Sequence, residues 1–369
     1  MAAPPPELVD TFLEVARIEG VSGNERVVAD HIRRVLEDLG MDVREDDAAR
    51  ESGGNCGNLV ARAGTGGAFA LMSHMDTARP SGQSRAIVHA DRITSDGTTV
   101  LGVDDRAGIA MLLYAARQVL AHGRGRRDFT LAFTVAEESS LAGSRTIRFE
   151  PPTKMAILFD SSLRPGNFIA RSFGCQRLWI KVHGRASHSG IAPEKGIDAI
   201  AVAARAIARL PLGRIDASTT SNIGMIQGGL AVNVVPEQVA LDAEVRSLAK
   251  ERVDEIVGVF GSTFEDEAAR AGARVTFRAE WDFESYAVDE SSELYRRVAT
   301  ALRAVGLEPT PQVSAGGSDA NSLNARGIPA INLGIGAQNP HGNDEFILLD
   351  DLDKGAAIAL ALLSQARGR

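Results

Sequence analysis

The spacing of apolar residues predicts that helices and strands alternate in the first half of the chain. Apolar side chains recur at helical spacing from Val28 to Leu39 and again over about 105–121. Short apolar runs, which are typical of buried strands, lie at 57–62, 68–73 and 128–136. This order indicates an α/β domain. We expect the glycine-rich piece at 63–67 to form a hairpin turn.

A different pattern begins near residue 174. Its order of strand, helix, strand, strand, helix and strand is the ferredoxin-like βαββαβ arrangement. The α/β pattern then returns and closes with a helix from Asp350. A chain of 369 residues is long enough for two domains with separate cores. We therefore predict one domain from residues 1–172 and 284–369, with residues 173–283 inserted into it.

Composition and charge narrow the possible partners. Hydrophobic residues make up 44% of the chain and charged residues 24%, so neither disorder nor a membrane-bound fold is indicated. The net charge of -8 argues against nucleic acid as a partner, because phosphate binding needs a basic surface. The one basic cluster, Arg124 to Arg127, is predicted to be a solvated loop.

The sequence also predicts a cytoplasmic location and no membrane partner. No apolar stretch reaches about 18 residues, the length that a membrane-spanning helix needs, and the first residues lack the pattern of a signal peptide. The two cysteines, Cys56 and Cys175, are too few for a disulfide framework or a thiolate metal cluster. Any metal ion must therefore be held by histidines and carboxylates.

The first candidate motif is FALMSHMDT, which places His74 and Asp76 at the end of an apolar strand. Ligands gather at the carboxyl ends of strands in open α/β sheets. A carboxylate two residues away can orient His74 as a metal ligand. Taken alone, however, this pair more often marks a hydrogen-bonded structural histidine.

The second motif, LGVDDRAG, places Asp104 and Asp105 at the start of a helix. The structural alternative is a helix cap with favourable dipole charge. Gly102 and Gly108 would give the backbone the freedom to aim one carboxylate inward, as a bridging metal ligand requires.

The third motif, TVAEESSLAG, places Glu137 and Glu138 side by side where a strand meets its loop. Adjacent like charges are costly unless a positive charge lies near them. A metal ion supplies that charge, since one glutamate can bind it while the other accepts a proton from water. An exposed acidic loop is the alternative.

Two further residues complete the candidate set. Asp160 ends the apolar run ILFD, where it could also be a simple strand terminator, and His341 lies in the turn QNPHGNDEF. Each site alone has a structural explanation. Five histidines and acids at the ends of strands together suit zinc, cobalt or manganese.

The order of these motifs resembles the peptidase T-like aminotripeptidases, in the di-zinc exopeptidase superfamily that includes carboxypeptidase G and the aminoacylases. The resemblance covers nearly the whole chain and implies a mixed-sheet catalytic domain with an inserted lid. It also implies two divalent metal ions, with zinc the first choice and cobalt or manganese the alternatives. The sequence departs from the family pattern at Arg106, where the family has Lys, and at Ser139, where Gly or Val is commoner.

Carried over by motif, the resemblance divides the candidate residues into roles. One metal would be held by His74, Asp104 and Asp160, and the other by Asp104, Glu138 and His341. Asp104 would bridge the two metals. Glu137 would be the general base, and Asp76 would orient His74.

The resemblance assigns substrate-binding roles in the inserted domain. His188, in RASHSG, would polarise the substrate carbonyl, often across a dimer interface, which implies a homodimer formed through the lid. Asn233 would face the substrate, and Arg246 would pair with a substrate carboxylate. A surface ion-pair ladder with Asp242 and Glu244 is the alternative for Arg246.

The motif SAGGSDAN offers a further candidate site at Gly317 and Ser318. Backbone N–H groups before a helix could bind a carboxylate or carbonyl oxygen. A serine N-cap preceded by structural glycines is the alternative. The same segment, Gly316 to Ala320, nearly matches the serine-hydrolase elbow but lacks its final glycine.

These features predict metal-dependent hydrolysis of amide bonds in short peptides, of the tripeptidase or aminopeptidase type. An N-acyl amino acid deacylase or a carboxypeptidase of the same superfamily is the main alternative. A serine hydrolase is a weaker one. A non-catalytic binding module would be expected to lack a ligand or the base, and this chain has both.

Overall fold

In this computed structural model, the described residues are 4–82, 85–122 and 128–364. The predicted basic loop at Arg124 to Arg127 lies outside them. The described ranges contain eleven α-helices: α1 (Pro6–Ala16), α2 (Arg26–Asp38), α3 (Ala49–Ser52), α4 (Val103–Leu120), α5 (Glu137–Ser140), α6 (Ala142–Thr146), α7 (Ala199–Ile207), α8 (Lys250–Ala271), α9 (Glu293–Ala304), α10 (Asp319–Ala325) and α11 (Leu349–Ser364). None of these helices has both the length and the apolar character needed to cross a membrane.

The same ranges contain eighteen strands. They are β1 (Asp42–Glu45), β2 (Leu59–Ala63), β3 (Phe69–His74), β4 (Ile87–Val88), β5 (Arg92–Thr94), β6 (Phe129–Thr134), β7 (Met155–Ser161), β8 (Asn167–Ser172), β9 (Gly174–His183), β10 (Gly213–Asp216), β11 (Thr219–Gly228), β12 (Gln238–Ser247), β13 (Arg274–Phe283), β14 (Tyr286–Ala287), β15 (Thr310–Ser314), β16 (Ala330–Gly334), β17 (Ala337–Gln338) and β18 (Phe346–Leu348).

The chain divides into two compact units. The first unit comprises Met1–Ala170, Ala287–Val313 and Ser318–Arg369, and the second comprises Arg171–Tyr286 with Ser314–Gly317. The sequence assigned Ser314–Gly317 to the α/β domain, whereas hydrogen bonds from Ser172 and Phe173 of the second unit hold this segment. Phe173 N–H donates to the Ser314 carbonyl at 2.9 Å, and the Ser172 hydroxyl donates to the Gly316 carbonyl at 3.0 Å.

The first unit is built on a mixed sheet, as predicted. Its strands lie in the order β1-β2-β6-β3-β7-β16-β8-β14, with β15 paired to β8. The central strands β6, β3, β7 and β16 are parallel, whereas β1, β2 and β8 pair in antiparallel fashion. The carboxyl ends of the parallel strands therefore meet at one edge of the sheet, where open α/β folds place their ligands.

Helix α4 is the buried helix of this unit. Its sequence is apolar around most of its circumference, as expected for a helix with no solvent-facing side. It packs against strands β3 and β7 and against helices α1 and α11. The start of α4 is consequently held next to the strand ends that carry the candidate ligands.

The predicted hairpin at residues 63–67 is wrong. Strand β6 lies between β2 and β3, pairing antiparallel with β2 and parallel with β3. Because β6 is buried along its whole length, its backbone groups need hydrogen-bond partners on both edges. The glycine-rich turn thus joins two strands that are not neighbours.

The second unit contains a five-stranded sheet in the order β10-β11-β12-β9-β13. Without the short strand β10, the element order β9, α7, β11, β12, α8, β13 is the expected βαββαβ. Inward-facing residues of the strands, such as Leu178 and Leu241, share a core with Val202 of α7 and with Phe260 and Phe264 of α8. This unit therefore has its own hydrophobic core.

A partly exposed ion-pair cluster joins α2 to β1. Glu45 accepts hydrogen bonds from Arg26 Nη1 at 3.0 Å, Arg33 Nη2 at 2.9 Å and Gly57 N–H at 2.9 Å. Partial burial disfavours the carboxylate, but the hydrogen bonds from Arg26 and Gly57 hold the pKa of Glu45 at about 2. This lowered pKa stabilises the fold above the ordinary pKa of glutamate, and the stabilisation is lost as the pH falls toward 2.

We expect Glu45→Gln to lower the free energy of unfolding by roughly 1 kcal/mol at pH 7, because the charged hydrogen bonds are partly exposed and screened. Chemical denaturation at pH 7 and pH 3 should show a smaller difference from wild type at pH 3. Asp30→Asn, which removes an exposed partner of the same Arg26, is the matched control and should cost less. An equal loss at both pH values would contradict the role of the Glu45 charge.

Candidate metal centre

The candidate ligands lie at one edge of the first unit. His74 ends β3, Glu138 follows β6, and Asp160 lies near the end of β7, so three adjacent parallel strands each bring one residue. Asp104 lies at the start of α4. His341 lies in the turn between β17 and β18. Residues far apart in the sequence are thus brought together by the topology of the sheet.

The first group consists of His74, Asp104 and Asp160. His74 Nε2 lies 3.0 Å from Asp104 Oδ1 and 3.4 Å from Asp160 Oδ1. Its Nδ1 lies 3.1 Å from the Asp76 carbonyl, an acceptor that fixes the proton on Nδ1. The other ring nitrogen, Nε2, therefore faces the two carboxylates, which is the position that a metal-binding nitrogen requires.

The second group consists of Asp104, Glu138 and His341. His341 Nε2 lies 3.0 Å from Glu138 Oε1 and 3.5 Å from Asp104 Oδ2. Hydrogen bonds to Asp104 and Glu138 raise the pKa of His341 to about 10. His341 is the most exposed member of either group, with 49% of its side chain accessible, compared with 2% for His74.

Asp104 belongs to both groups and offers one oxygen to each. Within each group the candidate ligand atoms lie within 4.8 Å of one another. Imidazole nitrogens with carboxylate oxygens form a donor set that suits zinc and similar divalent ions. The concentration of buried negative charge also favours a bound cation, because unpaired carboxylates are costly to bury. The residues present therefore fit a pair of metal ions.

Asp76 connects His74 to the glutamate pair. This fully buried carboxylate accepts the backbone N–H groups of Glu137 at 3.0 Å and Glu138 at 3.1 Å, and the Ser22 hydroxyl at 2.6 Å. Burial would raise the pKa of Asp76, but hydrogen bonds from His74 and these partners lower it below its usual value. One carboxylate thus contacts His74 and also fixes the loop that follows β6.

Glu137 lies beside the two groups without belonging to either. Burial raises the pKa of Glu137 well above its ordinary value, and the nearby Asp160 carboxylate raises it further. The preceding residue, Ala136, has a left-handed backbone with φ of 53°. Its N–H donates to the buried Glu25 carboxylate at 3.0 Å. The sharp turn after β6 is therefore held from both sides, by Glu25 and by Asp76.

The two adjacent aspartates have different surroundings. Asp104 faces the histidines, whereas Asp105 is fully buried and accepts the Ser73 hydroxyl at 2.5 Å and the Gly108 N–H at 3.1 Å. Asp105 therefore caps the helix, which is the structural alternative that the sequence left open, whereas Asp104 does not. Gly102 has φ of 76°, a left-handed conformation that glycine adopts readily, as the sequence predicted for this position. Gly108 instead allows close packing, since a Cβ there would lie 2.2 Å from the Phe159 carbonyl oxygen.

Arg106, which replaces the lysine of the resembled motif, lies beneath the site. Its side chain is fully buried and donates to the backbone carbonyls of Met75 and Ile18. Burial lowers the pKa of Arg106 to about 10, while the nearby Asp76 and Asp105 carboxylates favour its charge. It thus supports the segment between His74 and Asp76 with a positive charge.

Two of the predicted substrate residues are neighbours within the second unit. The backbone of His188 forms a bridge with Val234, and the Ser189 N–H donates to the Asn233 carbonyl at 3.0 Å. Both His188 and Asn233 are exposed. Their side chains are therefore accessible on the surface of this unit.

Arg246 forms the ion pair that the sequence offered as its alternative role. Its Nε and Nη2 donate to the two Glu244 oxygens at 3.0 and 2.9 Å, and Nη1 donates to the Ala315 carbonyl at 2.9 Å. The guanidinium also lies 5.7 Å from the centre of the Phe283 ring. Of the two acids that the sequence offered as ion-pair partners, Glu244 is thus the one that Arg246 contacts in these hydrogen bonds.

Ser318 and Gly317 have structural roles in the described residues. The Ser318 hydroxyl accepts the Ala320 N–H at 3.3 Å and caps α10, with Asn321 completing a capping box. A Cβ on Gly317 would lie 2.6 Å from the Phe283 ring. The serine-hydrolase interpretation is not supported, because Ser318 caps a helix and His341 faces carboxylates.

Several buried residues around the site were not predicted. Asn332 donates to Asp160 Oδ2 at 2.8 Å, and Thr134 donates to Asp319. Glu345 accepts the Gly102 N–H at 2.6 Å. A signal existed for Asn332, a polar residue inside the apolar strand IPAINLG. The sequence contained no such signal for Glu25, the buried acceptor of the Ala136 N–H, because Glu25 lies in an irregular segment far from the motifs.

Comparison with known proteins finds a matching family and similar chains. The sequence model of peptidase family M20/M25/M40 matches residues 70–365. The protein YqjE of Bacillus subtilis (strain 168) is 33% identical over 363 residues, which cover 97% of this chain and 98% of YqjE.

Two solved structures are similar over nearly their whole length. A tripeptidase from Staphylococcus aureus subsp. aureus Mu50 has a TM-score of 0.93 and 30% identity, and the match covers 98% of this chain and 99% of that one. The aminopeptidase PepT from Bacillus cereus ATCC 10987 has a TM-score of 0.90 and 32% identity, with 97% of each chain covered. Together with the fold and the ligand groups, these matches confirm the resemblance seen in the motifs: the chain belongs to peptidase family M20/M25/M40.

Proposed function

We propose that this protein is a di-metal exopeptidase that hydrolyses amide bonds in short peptides and acts as a tripeptide aminopeptidase. The observation that carries the proposal is the position of Asp104, whose two oxygens face two separate groups of histidine and carboxylate. The similar structures of a tripeptidase and of the aminopeptidase PepT support this substrate class.

Two divalent ions, zinc in the first instance, would be held in this site. His74, Asp104 and Asp160 would hold one ion, and Asp104, Glu138 and His341 would hold the other. Such ions polarise a carbonyl group and lower the pKa of water, which is the chemistry that amide hydrolysis needs. Asp76 would orient His74, since it faces the ring nitrogen opposite the ligand site.

Glu137 would move the proton. It would accept a proton from the attacking water and return it to the leaving amine nitrogen as the amide bond breaks. Its raised pKa suits this role, because a carboxylate that holds a proton more firmly is a better base near neutral pH. The buried contacts of Asp76 and Glu25 to its loop would keep the Glu137 carboxylate in place between the steps.

Residues of the inserted domain would recognise the substrate. His188 would polarise the scissile carbonyl, Asn233 would face the substrate, and Arg246 would pair with a substrate carboxylate if it exchanged its contact with Glu244. The backbone N–H of Gly317 would bind a carbonyl or carboxylate oxygen, and that of Ser318 would do so if it exchanged its hydrogen bond to Asn321 Oδ1. The inserted domain would also form a homodimer, as the family resemblance implies.

The substrate class can be tested with a panel of free tripeptides, dipeptides, N-acetylated tripeptides and N-acyl amino acids. We expect the free tripeptides to be cleaved fastest at the amino-terminal bond, with product identity read by mass spectrometry. A chelator should abolish the activity and added zinc should restore it. Faster hydrolysis of N-acyl amino acids would indicate a deacylase instead, and activity that persists in a chelator would exclude a metal-dependent mechanism.

Glu137→Gln tests the general base. It removes the proton acceptor while keeping the side-chain volume, so turnover should fall by about 10²- to 10⁴-fold. The zinc content should stay at the wild-type value, because Glu137 is outside both ligand groups. Glu150→Gln, an exposed glutamate paired with Arg44 and Arg62, is the control and should retain full activity. Near wild-type turnover in Glu137→Gln would rule out this base.

Asp104→Ala tests the bridging role. Because Asp104 is common to both groups, the variant should lose both metal ions, whereas His341→Ala should retain one. Elemental analysis after dialysis against a fixed zinc concentration gives the metal content of each. Asp91→Ala, which changes an exposed aspartate beside Arg92, should retain the wild-type content. Two ions retained by Asp104→Ala would show that it is not a shared ligand.

A further inference from the structure

Glu345 is a buried residue next to the proposed metal centre, and its carboxylate accepts hydrogen bonds from backbone N–H groups. Only 1% of the residue is exposed. Its Oε2 accepts the Gly102 N–H at 2.6 Å, and its Oε1 accepts the Asp104 N–H at 3.1 Å. Both oxygens are thus directed to the loop that carries the shared carboxylate.

This loop needs external support because its backbone is irregular. Asp104 has φ of -84° and ψ of 103°, and Asp105 has φ of -121° and ψ of 38°, so neither follows the helix that begins around them. Gly102 is in the left-handed region. N–H groups at the start of a helix lack partners within the helix and are stabilised by a nearby carboxylate. Glu345 supplies that carboxylate to Gly102 and Asp104.

The main chain of Glu345 belongs to the turn that carries the other ligand. Its N–H donates to the Gly342 carbonyl at 3.1 Å, and the Gly342 N–H donates to the Asn339 carbonyl at 3.1 Å. These two bonds close the turn around His341, whose own backbone has φ of 65°. One residue therefore closes the His341 turn with its main chain and fixes the Asp104 loop with its side chain.

We propose that Glu345 is a positioning residue of the metal centre, which holds the Gly102 to Asp104 backbone so that the two oxygens of Asp104 face His74 and His341. The inference rests on the proposed di-metal site. It assigns Glu345 no contact with a metal or a substrate. Side chains that orient metal ligands typically contribute about 10- to 100-fold to metal affinity.

Glu345→Gln is the decisive variant. It preserves the size of the side chain but replaces one acceptor oxygen with an NH₂ group, which cannot accept a backbone N–H. Titration of the metal-free, full-length protein with zinc chloride in a calorimeter should give two sites in the wild type. The variant should bind zinc about 10- to 100-fold more weakly. At saturating zinc its turnover should recover toward the wild-type value, since Glu345 acts through the ligands.

Asp351→Asn provides a matched control from the same part of the chain. Asp351 is also a buried carboxylate, but it accepts its hydrogen bonds from Arg164. This variant should lower the thermal unfolding temperature and leave the zinc affinity of the folded protein unchanged. A purely structural role for Glu345 would produce that same result, so the two variants separate positioning from stability.

The outcomes distinguish this inference from the proposed function. A wild-type protein that binds fewer than two zinc ions would overturn the di-metal site itself. Two sites in the wild type with unchanged zinc affinity in Glu345→Gln would overturn only the role of Glu345. If Glu345→Gln does not fold, Glu345→Asp replaces it, because the shorter carboxylate keeps the charge and loses reach. Wild-type zinc affinity in Glu345→Asp would then overturn the positioning role.

Discussion

At the candidate metal centre of the first unit, several carboxylates converge on two imidazole rings, and the surrounding structure depends on this arrangement. Asp104 faces both rings, Asp160 and Glu138 face one each, and Glu137 lies beside them. Burial opposes the ionisation of Asp104, Glu137 and Glu138, and like charges this close repel one another. Such an arrangement is stable only with compensating positive charge, which protonated histidines supply in part and divalent cations would supply more fully.

Buried acids outside the ligand groups stabilise this arrangement through the backbone. Asp76 accepts two consecutive N–H groups at the glutamate pair, Glu25 accepts the N–H before that pair, and Glu345 accepts those around Asp104. Each therefore holds main chain at or next to a residue of the candidate metal site. Oxygen atoms of buried carboxylates suit this task, because an irregular loop leaves N–H groups that neither sheet nor helix can satisfy.

The sequence was sufficient to predict the mixed α/β class and the βαββαβ order of the second unit, and its motifs contain the residues that the sheet brings together. These features are local, since helical spacing, apolar runs and His or acid residues at strand ends can each be read within a short window. Strand order is not local, and for that reason the turn at 63–67 was misassigned to a hairpin. Glu25 and Glu345 accept hydrogen bonds from backbone N–H groups that are distant in the sequence. The pattern of apolar and polar residues gives no information about such long-range pairs. Asn332 was not predicted either, but the sequence contained a signal for it, because a polar residue inside an apolar strand is visible in the sequence.

The placement of His341 affects the order in which the site can be assembled during synthesis. His74 lies early in the chain, but the second candidate group is incomplete until the turn between β17 and β18 has been made. A nascent chain that has completed β3, β6 and β7 but not this turn therefore contains His74, Asp104, Glu138 and Asp160 without His341. In the proposed di-metal site, all the ligands would be present only once this turn has formed, so metal uptake would be coupled to the folding of the β17 to β18 segment.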